Sequence, residues 1–279
     1  MDTPANDNST YKIPLLSLTT DFGLADEYVG VMKGVILRGA PQLRIVDLCH
    51  HIEPQNVLQA ALLLSENFHY FPDNTLHVVV VDPGVGTQRK IILAKACNHL
   101  FLAPDNGVLS FILARDDNAT IRQVVNRSLF LSPLSNTFHG RDIFAPVAGA
   151  LGSGLTAAKI GPEIAVDEIR RISWPAPNLA PDGVTLAGTI IGSDHFGNLL
   201  TNIHQRDIQG LQAGATALSV HIGGCRIDGL ASSYGQQPAG AMVALIGSRG
   251  YLEIALSGGN ARQHLAAANG QSVAVSKND

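Results

Sequence analysis

Cysteine and tryptophan are nearly missing from this chain: its 279 residues hold three of the first and one of the second. Cys49, Cys97 and Cys225 are far apart and odd in number. That argues against a disulfide framework and against a zinc-ligand cluster. The usage is that of a reducing compartment, and a cytoplasmic location is expected. Charge is also scarce. Charged residues make up 15% of the chain against 46% hydrophobic, and the net charge is −4. No basic stripe is available to meet a phosphate backbone, so no nucleic-acid partner is expected. There is no long acidic or basic run. No apolar stretch approaches the roughly 18 residues of a membrane span, so no membrane partner is expected either. The opening MDTPANDNST has neither the basic nor the apolar region of a signal peptide. Residues 1–12 read as a disordered leader.

What the chain does have is ample apolar material, arranged in two textures. From residue 13 to 168, apolar strands alternate with helical spacing. "IPLLSLT", "LRIVDL", "LHVVVV", "KIILAKA" and "LFLA" read as strands. "DEYVGVMKGVILRGA", "NVLQAALLLSENFHYF" (with Asn56 as N-cap) and "NGVLSFILAR" read as helices. This interleaving predicts an α/β layered sheet covered on both faces. Residues 169–183, with Pro175, Pro177 and Pro181, read as a linker. From 184 to 279 the runs are short and β-like, separated by glycine turns, with no strong helix signal. That pattern predicts an all-β barrel or sandwich.

Within the stretch "VVVVDPGVGTQRKIIL", four valines run into Asp82, and Arg89 follows after a Pro-Gly turn. Acids recur at strand ends: Asp21 after "LLSLTT", Asp82 after "LHVVVV", and Asp105 with Asn106 after "LFLAP". One such acid is usually a turn residue. Several on successive strands point to a pocket, because open α/β sheets bind ligands beyond the carboxyl ends of their strands. "TFHGRDIFAP" sets His139 and Arg141 beside Gly140 at a helix entrance, where free N–H donors collect. Gly140 would let the backbone approach a ligand closely, while Asp142 reads as a cap residue. "GSDHFGNLLTNI" and "GSRGYLEIA" place polar groups and glycine between apolar runs, which suits recognition of a polar small molecule. "CHHIEP" lacks the distant partners of a metal site, and no metal ligands are assigned. "GVGTQRK" lacks the Gly-Lys-Ser/Thr ending of a phosphate loop.

Taken in order, "TTDFG", "VVDPGVGTQR", "APDNG", "FHGRDIFAP", "SDHFGNLLTNI" and "SRGYLEIA" resemble the S-adenosyl-L-methionine hydroxide adenosyltransferases. These SAM hydrolases are relatives of the SAM-dependent fluorinase and chlorinase. The resemblance runs from about Leu15 to the C-terminus. It implies an N-terminal α/β/α domain, a C-terminal all-β barrel domain and a homotrimer. SAM would lie between the N-terminal domain of one subunit and the C-terminal domain of its neighbour. The implied reaction is SAM plus water giving adenosine and L-methionine, with SAM as substrate and no cofactor. The family's Asp–Arg–His triad falls on Asp82, Arg89 and His139. Asp82 would orient and polarise the water, Arg89 would lock its carboxylate, and His139 is a candidate for the proton. For substrate, Asp21 matches the ribose ligand and Asp194 the position facing the methionine ammonium. Asn198 matches the adenine reader, with Phe196 stacking on the ring. Ser248 and Arg249 match the methionine end, Glu253 is a candidate acceptor from the adenine amino group, and Gly140 lines the site.

The resemblance to the fluorinase breaks at three positions. That branch has tyrosine where this chain has Asp82 and serine where it has Gly140. Its ribose-contacting tryptophan corresponds to Gln55 here. The rival readings are a SAM-dependent halogenase, a SAM- or adenosine-binding sensor without turnover, and, more distantly, a metal-dependent hydrolase.

Overall fold

The computed structural model describes residues 11–212 and 217–278, so residues 1–10 of the expected leader lie outside the described residues. The chain divides into two compact units, with the division between Ser173 and Trp174.

The first unit is built on a seven-stranded mixed sheet. In chain order its elements are β1 (Leu15–Thr20), α1 (Tyr28–Gly39), β2 (Arg44–Cys49), α2 (Val57–Asn67) and β3 (Leu76–Val80). Then come β4 (Ile91–Ala96), β5 (His99–Pro104), α3 (Ser110–Leu113), β6 (Thr120–Gln123), α4 (Ala145–Gly152) and β7 (Glu163–Ile164). Strand order is β2-β1-β3-β5-β4-β6-β7. The first four are mutually parallel, and β4, β6 and β7 extend the sheet antiparallel. "KIILAKA" and "HLFLAP" are joined by a tight turn through Cys97 and Asn98, both at positive φ. A two-residue connection of this kind forces an antiparallel pair, because a parallel one needs a crossover.

Both faces of this sheet are covered, as the alternation of its strands requires. Leu16, Leu18, Val78 and Val80 face one core with Met32 and Ile36 of α1 and Val147 of α4. Val79, Val81 and Phe101 face the other with Ala61 and Leu64 of α2 and Ile112 of α3. α1 and α4 cross closely at Gly149, where a Cβ would sit 2.8 Å from the Ile36 carbonyl oxygen. α2 starts where Asn56 caps it, accepting from the Gln59 N–H at 2.9 Å. The helical pattern of "NGVLSFILAR" yields only the four residues of α3.

A polar chain runs through the second core. Ser17 Oγ and His77 Nδ1 are 2.6 Å apart, and His77 Nε2 lies 3.1 Å from His99 Nδ1. His77 is fully buried and stacks on Phe101 at 5.0 Å. Burial, and secondarily the neighbouring His99, push its pKa down to about 3 from an ordinary value of 6.5. The unfolded chain therefore takes up this proton first as pH falls. Stability is full above pH 6.5 and declines towards pH 3, by about 1.4 kcal/mol per pH unit from this group. Urea unfolding at pH 7 and pH 5 checks this. Equal unfolding free energies would remove His77 as a determinant.

The second unit is an antiparallel sheet that curls towards closure. Its elements are β8 (Asn178–Leu179), β9 (Thr185–Ser193), β10 (Leu199–His204), α5 (Gln205–Gln212), β11 (Ala217–Ile222) and β12 (Cys225–Asp228). β13 (Met242–Ile246), β14 (Tyr251–Leu256), α6 (Ala261–His264) and β15 (Ser272–Asn278) complete it. The order is β12-β11-β15-β9-β10-β14-β13, with β8 paired to β9. Beyond β12, the Ala231 N–H donates to the Ala244 carbonyl of β13 at 2.8 Å, so the two ends of the sheet approach a barrel seam. The interior is apolar, with Val220, Ile203, Leu252, Ile254, Val273 and Val275 buried. α5 departs from the expectation of an all-β region. It buries Ile208 and Leu211.

Candidate active site

β3 ends at Val80, and the chain turns at once. The Val85 N–H donates to the Asp82 carbonyl at 3.1 Å, and the Thr87 N–H donates to that of Gly84 at 3.1 Å. These two consecutive turns bring Arg89 back against Asp82. Arg89 Nε donates to both carboxylate oxygens, at 3.0 and 2.8 Å, and Nη2 donates to Oδ2 as well. The pair is buried, with side-chain exposures of 4% for Asp82 and 7% for Arg89. A planar guanidinium held this way fixes the plane of the carboxylate. The strand end itself is clamped by Asn106, whose Nδ2 donates to the Val81 carbonyl at 2.8 Å.

The third member arrives from the segment before α4. Arg89 Nη2 donates to His139 Nδ1 at 2.8 Å. Arginine has no acceptor, so Nδ1 must be the lone-pair nitrogen and the neutral ring carries its hydrogen on Nε2. Burial first, and then the Arg89 charge, hold the His139 pKa below the usual imidazole value. His139 is therefore neutral near pH 7 and offers an N–H donor. This changes the role expected for it as a proton acceptor, since its basic nitrogen already faces a cation.

Asp82 and His139 line a cavity of about 300 Å³ together with Asp21, Gln55, Phe138 and Gly140. Asp21 follows β1, and its Oδ2 accepts from the Gln55 N–H at 2.8 Å. Phe22, Tyr28 and Phe138 pack edge-on or tilted nearby, with centroids 5.0–5.9 Å apart. Two strand-end acids thus converge, and the third does not. Asp105 accepts from the Arg170 N–H at 2.9 Å and lines a separate cavity with Arg89 and Asn106. Its role is to tie down the end of the unit.

Other expectations shift around His139. Gly140 lines the cavity, and a Cβ there would lie 3.0 Å from Met32 Sδ and 3.2 Å from the Phe138 ring, so a larger residue requires those side chains to shift slightly. Asp142 is not a simple helix cap. It accepts from the Ser135 N–H at 2.7 Å and from Arg141 Nε at 2.6 Å, tying the preceding loop to the helix. Arg141 is thereby directed to Asp142 and over the Phe138 ring. His50 of "CHHIEP" is buried between Thr20 and Asp47. Among the described residues no cluster that could hold a metal ion is present.

The second unit holds its own group of polar residues. The β9–β10 turn is closed by Asp194, whose two oxygens accept from the Asn198 N–H and Nδ2, each at 2.8 Å. Gly197 takes φ 83 in this turn, and Phe196 at its tip is 73% exposed. Asn198 uses one N–H of its amide in the bond to Asp194. It lines a cavity of about 650 Å³ with Phe196, Tyr234, Leu256 and Asn260. Glu253 is buried and accepts from the Tyr234 hydroxyl, with Arg249 Nη2 at 4.0 Å. Its carboxylate is thus partly engaged, which limits the capacity expected for an adenine amino group. Ser248 is exposed in the β13–β14 turn. Tyr234 and Asn260 carried no signal in the sequence, since neither lies in a motif and both reach this cavity only through the folded sheet.

Comparison with known proteins places both units. Residues 16–161 match the family model for the SAM hydroxide adenosyltransferase N-terminal domain, and residues 188–274 match that for its C-terminal domain. An (R)-S-adenosyl-L-methionine hydrolase of Thermus thermophilus is 36% identical over 261 residues, covering 91% of this chain and 96% of that protein. A fluorinase of Nocardia brasiliensis is 28% identical over 270 residues, covering 87% of this chain and 90% of its own. The crystal structure of an uncharacterized conserved protein from Thermotoga maritima superposes with a TM-score of 0.84 at 35% identity. It covers 94% of this chain and all of that one.

Proposed function

The chain belongs to the SAM hydroxide adenosyltransferase family, and on that premise we propose that it hydrolyses S-adenosyl-L-methionine to adenosine and L-methionine by attack of water at ribose C5′. The observation that carries this reading is the buried Asp82–Arg89–His139 constellation, whose Asp82 and His139 line the same cavity as Asp21. Asp21 takes the ribose hydroxyls, and the reacting carbon is directed towards Asp82. Asp194, Asn198, Phe196, Ser248, Arg249 and Glu253 form the complementary half that takes the methionine and adenine ends. In a homotrimer, the neighbouring subunit supplies that half. No helix of the described residues is long and apolar enough to cross a membrane. Three free cysteines favour a cytoplasmic setting.

The chemistry follows from charge. The sulfonium leaves as a neutral thioether, so little help is needed at the leaving group. The oxygen needs to be held in line, roughly 3–3.5 Å from the carbon. As the C–O bond forms, the water oxygen becomes strongly acidic. A carboxylate then suffices to accept the proton, although it would be too weak to deprotonate free water. Asp82 therefore orients the water and receives its proton late. Arg89 holds the carboxylate plane, and the neutral His139 ring donates to the same oxygen. The balance is SAM cation plus water giving adenosine, methionine and one proton.

The pH consequence is specific. His139 must be neutral, and its pKa lies below 6.5. The acid limb of kcat/KM is expected below pH 6.5, with activity flat from there to pH 8. His139→Ala is expected to slow turnover about a hundredfold, through lost positioning of the water, and to change that limb. An unchanged profile in the variant would remove His139 from the site.

A halogenase reading meets Asp82. A halide about 4 Å from a carboxylate is repelled by about 4 kcal/mol at an effective dielectric near 20, before Arg89 offsets part of it. Chloride added to the reaction should therefore give no halogenated adenosine by chromatography. Its appearance would shift the assignment to the halogenase branch. A sensor would bind adenosine yet release no methionine from SAM.

A further inference from the structure

Pro54 and Gln55 are the central residues of a tight turn, in which the Asn56 N–H donates to the Glu53 carbonyl at 2.9 Å. Gln55 has φ 66. Proline first and positive φ second is the pattern of a turn that favours glycine at the second place. A glutamine there carries a conformational penalty that glycine would not. The turn is also anchored to the start of α2. The Glu53 N–H donates to Gln59 Oε1 at 2.7 Å, and Asn56 Nδ2 donates to Glu53 Oε2 at 3.1 Å. Its direction is therefore set by the helix. The strained residue accepts from the Val57 N–H at 3.0 Å, and its own N–H donates to Asp21 Oδ2 at 2.8 Å, at the edge of the cavity that Asp21 shares with Asp82 and His139.

We propose that Gln55 is a positioning residue for the Asp21 carboxylate, its left-handed turn aiming a backbone N–H that stops the carboxylate rotating and presents Oδ1 to the ligand. This rests on the reading of Asp21 as the ribose ligand. A carboxylate with one oxygen engaged keeps Oδ1 and one lone pair of Oδ2 for two adjacent hydroxyls. A freely rotating one would have to be ordered on binding.

The N–H can be removed alone. Lactic acid incorporated at position 55 replaces the amide by an ester, and Gln55→Ala is its control. The readout is the ratio of dissociation constants for 2′,3′-dideoxyadenosine and adenosine, which reports recognition of the hydroxyls. The ester is expected to weaken adenosine about tenfold and leave dideoxyadenosine within about twofold. Gln55→Ala and Gln55→Gly, which keep the N–H, are expected to hold the wild-type ratio. Gln55→Pro has no N–H and cannot take a positive φ, and it should act like the ester if the ester does not fold. A purely structural turn would weaken both ligands alike, which would overturn the proposal. Asp21→Ala runs in parallel. If it collapses the ratio while the N–H variants do not, the Gln55 assignment alone fails. If Asp21→Ala leaves the ratio intact, the ribose reading fails and the Gln55 assignment falls with it.

Discussion

Asp82→Ala is expected to lower turnover of S-adenosyl-L-methionine by at least about a thousandfold, while the adenosine dissociation constant changes by less than about threefold. The expectation follows from what the carboxylate does. In the proposed reaction it holds the nucleophile and takes its proton, and neither task contributes to ground-state binding of the nucleoside. Removing it also leaves Arg89 buried with His139 as its remaining partner. Some stability loss is therefore built into the variant, and activity should be compared at a temperature where circular dichroism shows it folded. Asp82→Asn keeps the volume and removes the charge, and it should be nearly as inactive. A loss of adenosine affinity matching the loss of turnover would make Asp82 a substrate ligand instead.

Arg89→Met carries the second large effect, on stability as well as rate. Asp82 and Arg89 are both largely removed from water. Breaking such a pair from one side strands a buried charge and costs about 3–5 kcal/mol. His139 Nδ1 loses its donor at the same time, so the ring is free to flip or to protonate. Turnover should fall at least about a hundredfold, and urea unfolding should show the stability loss directly. Arg89→Lys keeps the charge but has no planar fork, and is expected to recover stability more than rate. Full activity in Arg89→Lys would contradict the claim that carboxylate geometry, rather than nearby positive charge, is what Arg89 supplies.

Much of this was legible in the sequence for local reasons. Four valines ending in Asp82 and a Pro-Gly turn encode a buried strand whose end must reverse, and Arg89 lies within reach of that reversal. Asn56 before an apolar helix pattern is a cap whose partner, Gln59, is three residues away. The features that escaped are non-local or weakly patterned. α5 has only Ile208 and Leu211 to bury, and Gly210 within it weakens its helical signal. Asp105 has the same local context as Asp82, but its carboxylate is claimed by the Arg170 backbone 65 residues later. The protonation of His139 depends on which nitrogen meets Arg89, and that is fixed only by the folded geometry. Gln55 looks like an unremarkable loop residue until its φ and its bond to Asp21 are known.

The most direct measurement is mass analysis of the products after incubating the protein with S-adenosyl-L-methionine in isotopically labelled water. The account predicts one labelled oxygen in adenosine, at the 5′-hydroxyl, and unlabelled methionine. Label in methionine, or adenosine without label at the 5′ position, would show that water does not attack C5′.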